Sequence, residues 1–209
     1  MENNDQILRF FGRGSAFSDE HNSSLFCSGS DLVLLDHSIT AFNKLRKLGP
    51  DHFGGGEKIS HIYVIVTHTH SDHISGIPLL IHYSYYVWHL PVTVAVGSEE
   101  VGENMLYYLD KLEGCDKDSY NIIPADDLGF VTEIIPTEHT PNLDGKCFGY
   151  QLDVNGKKVI YTGDTRTLPI PRRGNAYGNV PSWRHRTALH PGIPLGRGST
   201  ECMDSRLSP

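Results

Sequence analysis

Three imidazoles and a carboxylate crowd into six consecutive positions of this chain, His68-Thr69-His70-Ser71-Asp72-His73, directly after an apolar run. Such a concentration of nitrogen and oxygen donors is a metal-binding pattern, one that suits zinc, with iron, manganese or nickel as substitutes. The preceding Ile62-Tyr63-Val64-Ile65-Val66 is β-branched and aromatic, which predicts a buried strand with His68 at its exit. A strand fixes the first ligand rigidly, and the turn after it lets His70, Asp72 and His73 converge from different directions, which a straight element does not allow.

The elements that must hold this segment alternate. Strands are expected near residues 7–11, 24–27, 32–36, 61–66, 92–96, 130–135, 148–154 and 158–162, the last two joined by a hairpin built on Asn155-Gly156. Helices are expected over 40–48, stopped by Gly49-Pro50, and over 99–112, where Val101, Met105, Tyr108, Leu109 and Leu112 share a face. A third helix comes after the histidine segment, with Ile77, Leu80, Ile81, Ser84, Tyr85 and Trp88 at helical spacing and directed at a sheet. The alternation alone allows several α/β folds.

The histidine segment matches the HxHxDH signature of the metallo-β-lactamase superfamily, and other parts of the chain resemble that family in the right order, from about Phe10 to Arg166. Upstream lie Gly12-Arg13-Gly14-Ser15-Ala16-Phe17, His21-Asn22-Ser23-Ser24-Leu25 and the apolar Leu32-Val33-Leu34-Leu35 ending at Asp36; downstream lie Pro136-Thr137-Glu138-His139-Thr140-Pro141 and Tyr161-Thr162-Gly163-Asp164-Thr165. The resemblance implies an αββα sandwich, incomplete at the C-terminus, and two metal positions. One would take His68, His70 and His139, leaving a place for water; the other would take Asp72, His73 and a bridging Asp164, with Asp72 doubling as proton shuttle. Asp36 would orient the metal-binding loop, or is an ordinary turn-capping aspartate. Ser15, His21 and Asn22 fall on a loop that the family places at the active-site rim, so a substrate-facing role is open to them. The Gly-Arg-Gly-Ser-Ala-Phe opening resembles the ribonuclease Z and cyclic-nucleotide phosphodiesterase branch, which implies phosphodiester hydrolysis. A thioester or lactone hydrolase, or a catalytically defective metal-binding protein, is the alternative.

The chain has 209 residues and a formal charge of −7, divided unevenly. Through Asp164 there are 8 Lys and 3 Arg against 23 acids, a balance of −12, whereas 165–209 holds 7 Arg, no Lys and 2 acids. An acidic body repels a long nucleic acid, so a small-molecule substrate such as a cyclic nucleotide fits better. We therefore divide the chain into a hydrolase domain over 1–164 and an Arg-, Pro- and Gly-rich tail over 165–209, which has no periodic apolar run and is expected to be poorly ordered. The family's last histidine ligand should fall in this tail, where His185 and His190 are the histidines available. A frameshifted or replaced C-terminus and a genuine lineage-specific one both account for the change in composition. Apolar surface left uncovered there would favour self-association, hence a homodimer.

No stretch is long and apolar enough to cross a bilayer, and no secretory signal is evident, so a cytoplasmic location is expected. Cys27, Cys115, Cys147 and Cys202 are scattered, which suits a reducing compartment. The aromatic group His82, Tyr83, Tyr85, Tyr86, Trp88 and His89 reads as a helix with one core face and rings at its boundary, and His37, His52 and His61 have no neighbours in sequence that suggest chemistry.

Overall fold

The computed structural model describes residues 7–167; the tail beyond Thr167, with His185, His190 and its expected disorder, lies outside the described residues. A six-stranded sheet is ordered β1-β2-β3-β4-β5-β6, from Arg9–Gly12 (β1), Ser23–Ser28 (β2), Asp31–Leu35 (β3), His61–Val66 (β4), Val92–Val96 (β5) and Asn121–Pro124 (β6). The first three strands are antiparallel neighbours, while β3 to β6 run parallel. Parallel pairing demands crossovers. These are α1 (Ile39–Leu48), the pair α2 (Ser71–Ile74) and α3 (Ile77–Tyr83), and α4 (Glu99–Leu106).

Pleating sorts the side chains of this sheet onto two faces. Phe26, Val33, Tyr63 and Thr93 lie in register on one face, and Leu25, Leu34, Val64, Val94 and Ile122 on the other. The first face meets the second sheet, where Phe130 packs edge-on against both Phe26 and Tyr63. Against the other face lies α4, whose Gly102 sits beside Val96 and Ile122. Burial on both faces is why β3, β4 and β5 read as continuous apolar runs. The second sheet, β7 (Val131–Pro136), β8 (Phe148–Val154) and β9 (Lys157–Tyr161), is wholly antiparallel. Its β8–β9 turn is the expected Asn-Gly hairpin, with φ of 53° at Asn155 and 77° at Gly156, the left-handed pair that a two-residue turn requires.

Three expectations need correction. Strand β6 is an addition to the expected set, because four residues with two isoleucines and a terminal proline carry no usable alternation; the strand exists by pairing with β5 at the sheet edge, where a proline is tolerated. The helix after the histidine segment is not one regular element: α3 widens into a π turn over Ser84–Trp88. Ile77, Leu80, Ile81 and Ser84 are buried as expected, but the wider turn rotates Tyr85 outward to 42% exposure. The same device, over Tyr107–Leu112, comes after α4 and leaves the expected core residue Leu112 exposed while Leu109 stays buried.

Candidate metal centre

The parallel strands β3 and β4 end side by side, and the loops leaving their C-terminal ends build the site. Asp36 N donates to Ile65 O at 2.9 Å, which sets Asp36 next to Thr67 just before His68. Its backbone is left-handed, φ 57°, a conformation that aspartate tolerates better than most residues. The chain then turns so that His37 N donates to His73 O and Gly76 N donates to His37 O, clamping the histidine segment to the end of β3. A Cβ at Gly76 would stand 2.2 Å from Ser38 O, so this approach requires glycine. From the second sheet, His139 arrives on the loop after β7 and Asp164 on the loop after β9. Arg166 N and Thr165 Oγ1 both donate to Glu138 O, which ties those two loops together.

The side chains brought together are the six expected from the sequence. His68 Nε2 lies 3.1 Å from His70 Nδ1, and His139 Nε2 lies 3.1 Å from the same atom. Asp72 Oδ2 stands 3.4 Å and Asp164 Oδ2 3.6 Å from His73 Nε2, while Asp164 Oδ2 is also 3.9 Å from His139 Nε2. Two candidate metal groups result, His68 with His70 and His139, and His68 with His73 and Asp164. Two imidazole nitrogens bound tetrahedrally at 2.0–2.1 Å are roughly 3.3 Å apart, so the first group has the spacing of a zinc-like ligand set.

Counting protons fixes how the rings point. Thr67 N donates to Asp36 Oδ1, and the Thr67 hydroxyl reaches both carboxylate oxygens, at 3.1 and 2.9 Å. That hydroxyl has one proton, which it gives to the carboxylate, so its 3.0 Å contact with His68 Nδ1 has the ring N–H as donor. His73 Nδ1 donates to Asp36 Oδ2 at 2.8 Å. With each Nδ1 proton committed outward, both rings turn Nε2 into the site, the arrangement in which outer partners orient a ligand. Asp36 is thus the orienting acid that the family resemblance implied.

Electrostatics depend on burial and on this arrangement. Burial, then the other imidazoles, lowers the pKa of His68 to about 2, and burial lowers that of His139. Both are neutral donors at pH 7. Burial works against a charge on His73 too, yet Asp36, with Asp164 and Asp72, holds its pKa well above the ordinary value. Burial likewise opposes ionisation of Asp164 and Asp72, but His73 keeps both carboxyls below their usual range, helped at Asp164 by His68 and His139. The carboxylates of Asp36, Asp72 and Asp164 thus favour a positive charge at His73, the local field that a cation would also meet there.

Other expected residues are placed differently. Asn22 is buried, its Nδ2 donating to Tyr161 OH at 3.3 Å, so it lies behind Asp36 and is not substrate-facing. Ser15 and His21 are half-buried in the preceding loop, and His21 N donates to Thr40 Oγ1. His37 is fully buried, its pKa pushed down to about 3 by burial, and contributes through its backbone. Tyr83 and Trp88 pack edge-on at 5.0 Å as boundary rings against the core, and His61 stacks on Tyr63. Sequence reasoning missed Tyr161 as a polar participant, because an aromatic residue at a strand end reads as core.

A family model described as "Anti-Pycsar protein Apyc1" matches residues 7–172. Among solved structures, the chain is similar to the metallo-beta-lactamase fold protein YhfI from Bacillus subtilis, with 19% identity, a TM-score of 0.55, and coverage of 75% of this chain and 62% of that one. It is also similar to the short form of human tRNase Z, with 17% identity, a TM-score of 0.52, and coverage of 77% and 70%. At such identities the likeness establishes the metallo-β-lactamase fold. The chain spans 62% of the length of YhfI. A comparison with the curated proteins gives no match.

Proposed function

Since the chain belongs to the Anti-Pycsar protein Apyc1 family and has the metallo-β-lactamase fold, we propose that it is a metal-dependent hydrolase of a small phosphodiester, with a cyclic nucleotide as the favoured substrate class. The observation that carries this reading is the position of Asp164, whose Oδ2 stands between the imidazoles of His73 and His139 at 3.6 and 3.9 Å, where one carboxylate can serve two ions. In this reading His68, His70 and His139 hold one metal, and Asp72, His73 and Asp164 hold the second. Zinc suits the donors best, with manganese, iron or nickel as substitutes. A bound divalent ion supplies Lewis acidity at the phosphoryl oxygen and activates water at neutral pH.

The chain's own groups do the rest. Asp72 and Asp164 bring the negative charge that anchors cations. Asp72, buried but less enclosed than His73, would accept the proton of the attacking water and pass it to the leaving oxygen. The acidic body, −12 through Asp164, favours a substrate with few phosphates over a polyanion. The second metal is held more weakly than the first, because its set has one imidazole where the first has three. The apolar side chains of β8 and β9 are buried or half-buried, so the uncovered surface expected to drive a homodimer is not found on these strands, and no helix among the described residues is long and apolar enough to cross a membrane.

The test is turnover by one metal-loaded preparation of a cyclic nucleotide, a linear model phosphodiester, a thioester and a lactone. Phosphodiester hydrolysis is expected, with Asp72→Asn lowering kcat by at least about 100-fold and changing KM little, the loss associated with a general base. Turnover confined to thioester or lactone would transfer the chain to that class, and no turnover despite bound metal would establish the binding-only reading.

A further inference from the structure

Asp36 is fully buried, and its two oxygens are used unequally. Oδ1 accepts from the Thr67 backbone N–H, whereas Oδ2 accepts from His73 Nδ1 at 2.8 Å and from Tyr161 OH at 3.3 Å; the Thr67 hydroxyl spans both. The Tyr161 hydroxyl has a single proton. Since a carboxylate cannot donate, that proton goes to Asp36, and the phenol oxygen is free to accept the Asn22 amide N–H at 3.3 Å. The result is a directed chain, Asn22 to Tyr161 to Asp36, ending on the oxygen that orients His73. Tyr161 is 1% exposed and Asn22 8%, so these bonds are shielded from solvent; the Ser24 side chain is a further partner of the Tyr161 phenol.

From this geometry we propose that Tyr161 and Asn22 are positioning residues for the second metal position: they hold Asp36 Oδ2, and through it the His73 ring, without touching the first ligand trio. The inference rests on the metal-centre reading above. Its selectivity comes from the split between the two oxygens. Thr67, which orients His68, is held by its backbone N–H on Oδ1 and by a hydroxyl that can use either oxygen, so the first position keeps its support when Tyr161 loses its hydroxyl. His73 Nδ1 rests on Asp36 Oδ2 alone. The chain also links distant parts of the sequence, since Asn22 lies before β2 and Tyr161 ends β9, so the N-terminal loop and the second sheet jointly set one ligand's angle.

The experiment is titration of the full chain with cobalt(II), monitored by its visible absorption, with the first and second equivalents resolved. In Tyr161→Phe the second equivalent is expected to bind about 3–10-fold more weakly, somewhat less than the 10–100-fold that accompanies loss of a ligand's direct outer partner, with the first equivalent unchanged within about twofold. Asn22→Leu should shift the second equivalent in the same direction by less. The double variant should be no worse than Tyr161→Phe alone, because Asn22 acts only through the phenol. An unchanged second equivalent in Tyr161→Phe, equal weakening of both equivalents, or additive effects in the double variant would each overturn the proposal. Should Tyr161→Phe fail to fold, Asn22→Leu, which leaves the ring in the core, decides the matter through its own ratio of equivalents. Failure of the unaltered protein to take up any cobalt would overturn the metal-centre reading and this inference with it, an outcome distinct from loss of selectivity alone.

Discussion

A buried carboxylate must find donors, and Asp36 finds them in the residues that aim the ligands. His73 takes its direction from Asp36 itself and His68 from Thr67, which Asp36 holds. If the tri-imidazole set is the tight site, replacing His68 and His70 together by alanine should remove bound metal entirely after dialysis against a weak chelator; metal content equal to that of the unaltered protein would end the assignment. The protonation states give a second expectation. The raised pKa of His73 means that, without metal, its charged pairing with Asp36, Asp164 and Asp72 stabilises the fold fully below about pH 6.5 and is lost as pH rises through the raised value. For Asp72 and Asp164, whose pKa values are lowered, the contribution is present above about pH 4 and is lost as pH falls through those values. The metal-free protein is therefore most stable from about pH 4 to 6.5, and a metal taking His73 Nε2 at pH 7 must displace its proton. Calorimetry in buffers of differing ionisation enthalpy should register proton release with the second equivalent, and metal affinity should rise with pH. Zero proton release at pH 7 would contradict the picture.

At the scale of elements, the site depends on strand ends being brought very close. Gly163 has φ 59°, and a Cβ there would stand 2.6 Å from the Thr67 Cβ, so the loop carrying Asp164 presses directly on the end of β4. Gly156, in the β8–β9 hairpin, also has positive φ, 77°, but open space around it. Gly156→Ala should therefore cost about 1–2 kcal/mol, the left-handed penalty alone. Gly163→Ala should cost about 2–5 kcal/mol, because an overpacking term of about 1–3 kcal/mol is added and Thr67 cannot retreat without disturbing Asp36. Urea denaturation of the two variants checks the difference; equal losses would mean that the contact is not close in solution.

For the whole molecule, the candidate metal centre is a seam. His68, His70, Asp72 and His73 come after β4 of the first sheet, whereas His139 and Asp164 come after β7 and β9 of the second. The sheets are otherwise joined by apolar contacts such as Phe130 on Phe26 and by Tyr150 OH donating to Val66 O at 2.6 Å. An ion bound from both sides binds the native state alone, so at 100 times its dissociation constant it should add about 2.7 kcal/mol and raise Tm by roughly 5–11 °C for a domain of this size. Differential scanning calorimetry with and without zinc reads this directly. Removal by chelator should reverse the shift, and the His68, His70 double variant should show none.

The sequence by itself marked the six candidate donors and most of the strands, because both are local: the donors have distinctive chemistry, and the apolar runs of β3, β4 and β5 need no partner to be recognised. It also marked Asp36 and the Asn155-Gly156 turn, where backbone conformation depends on the residues themselves. Tertiary structure decided the rest. Whether β6 is a strand was settled by an edge that only β5 could offer, and the outward turn of Tyr85 and Leu112 by π turns that periodicity does not encode. The roles proposed for Asn22 and Tyr161 are the clearest case: 139 positions separate them, and neither bears a mark of its task until folding encloses both behind Asp36 within hydrogen-bond reach of each other. Spacing along a chain reveals donors that act together when they are neighbours; donors that meet only across a closed core are revealed by the packing that closes it.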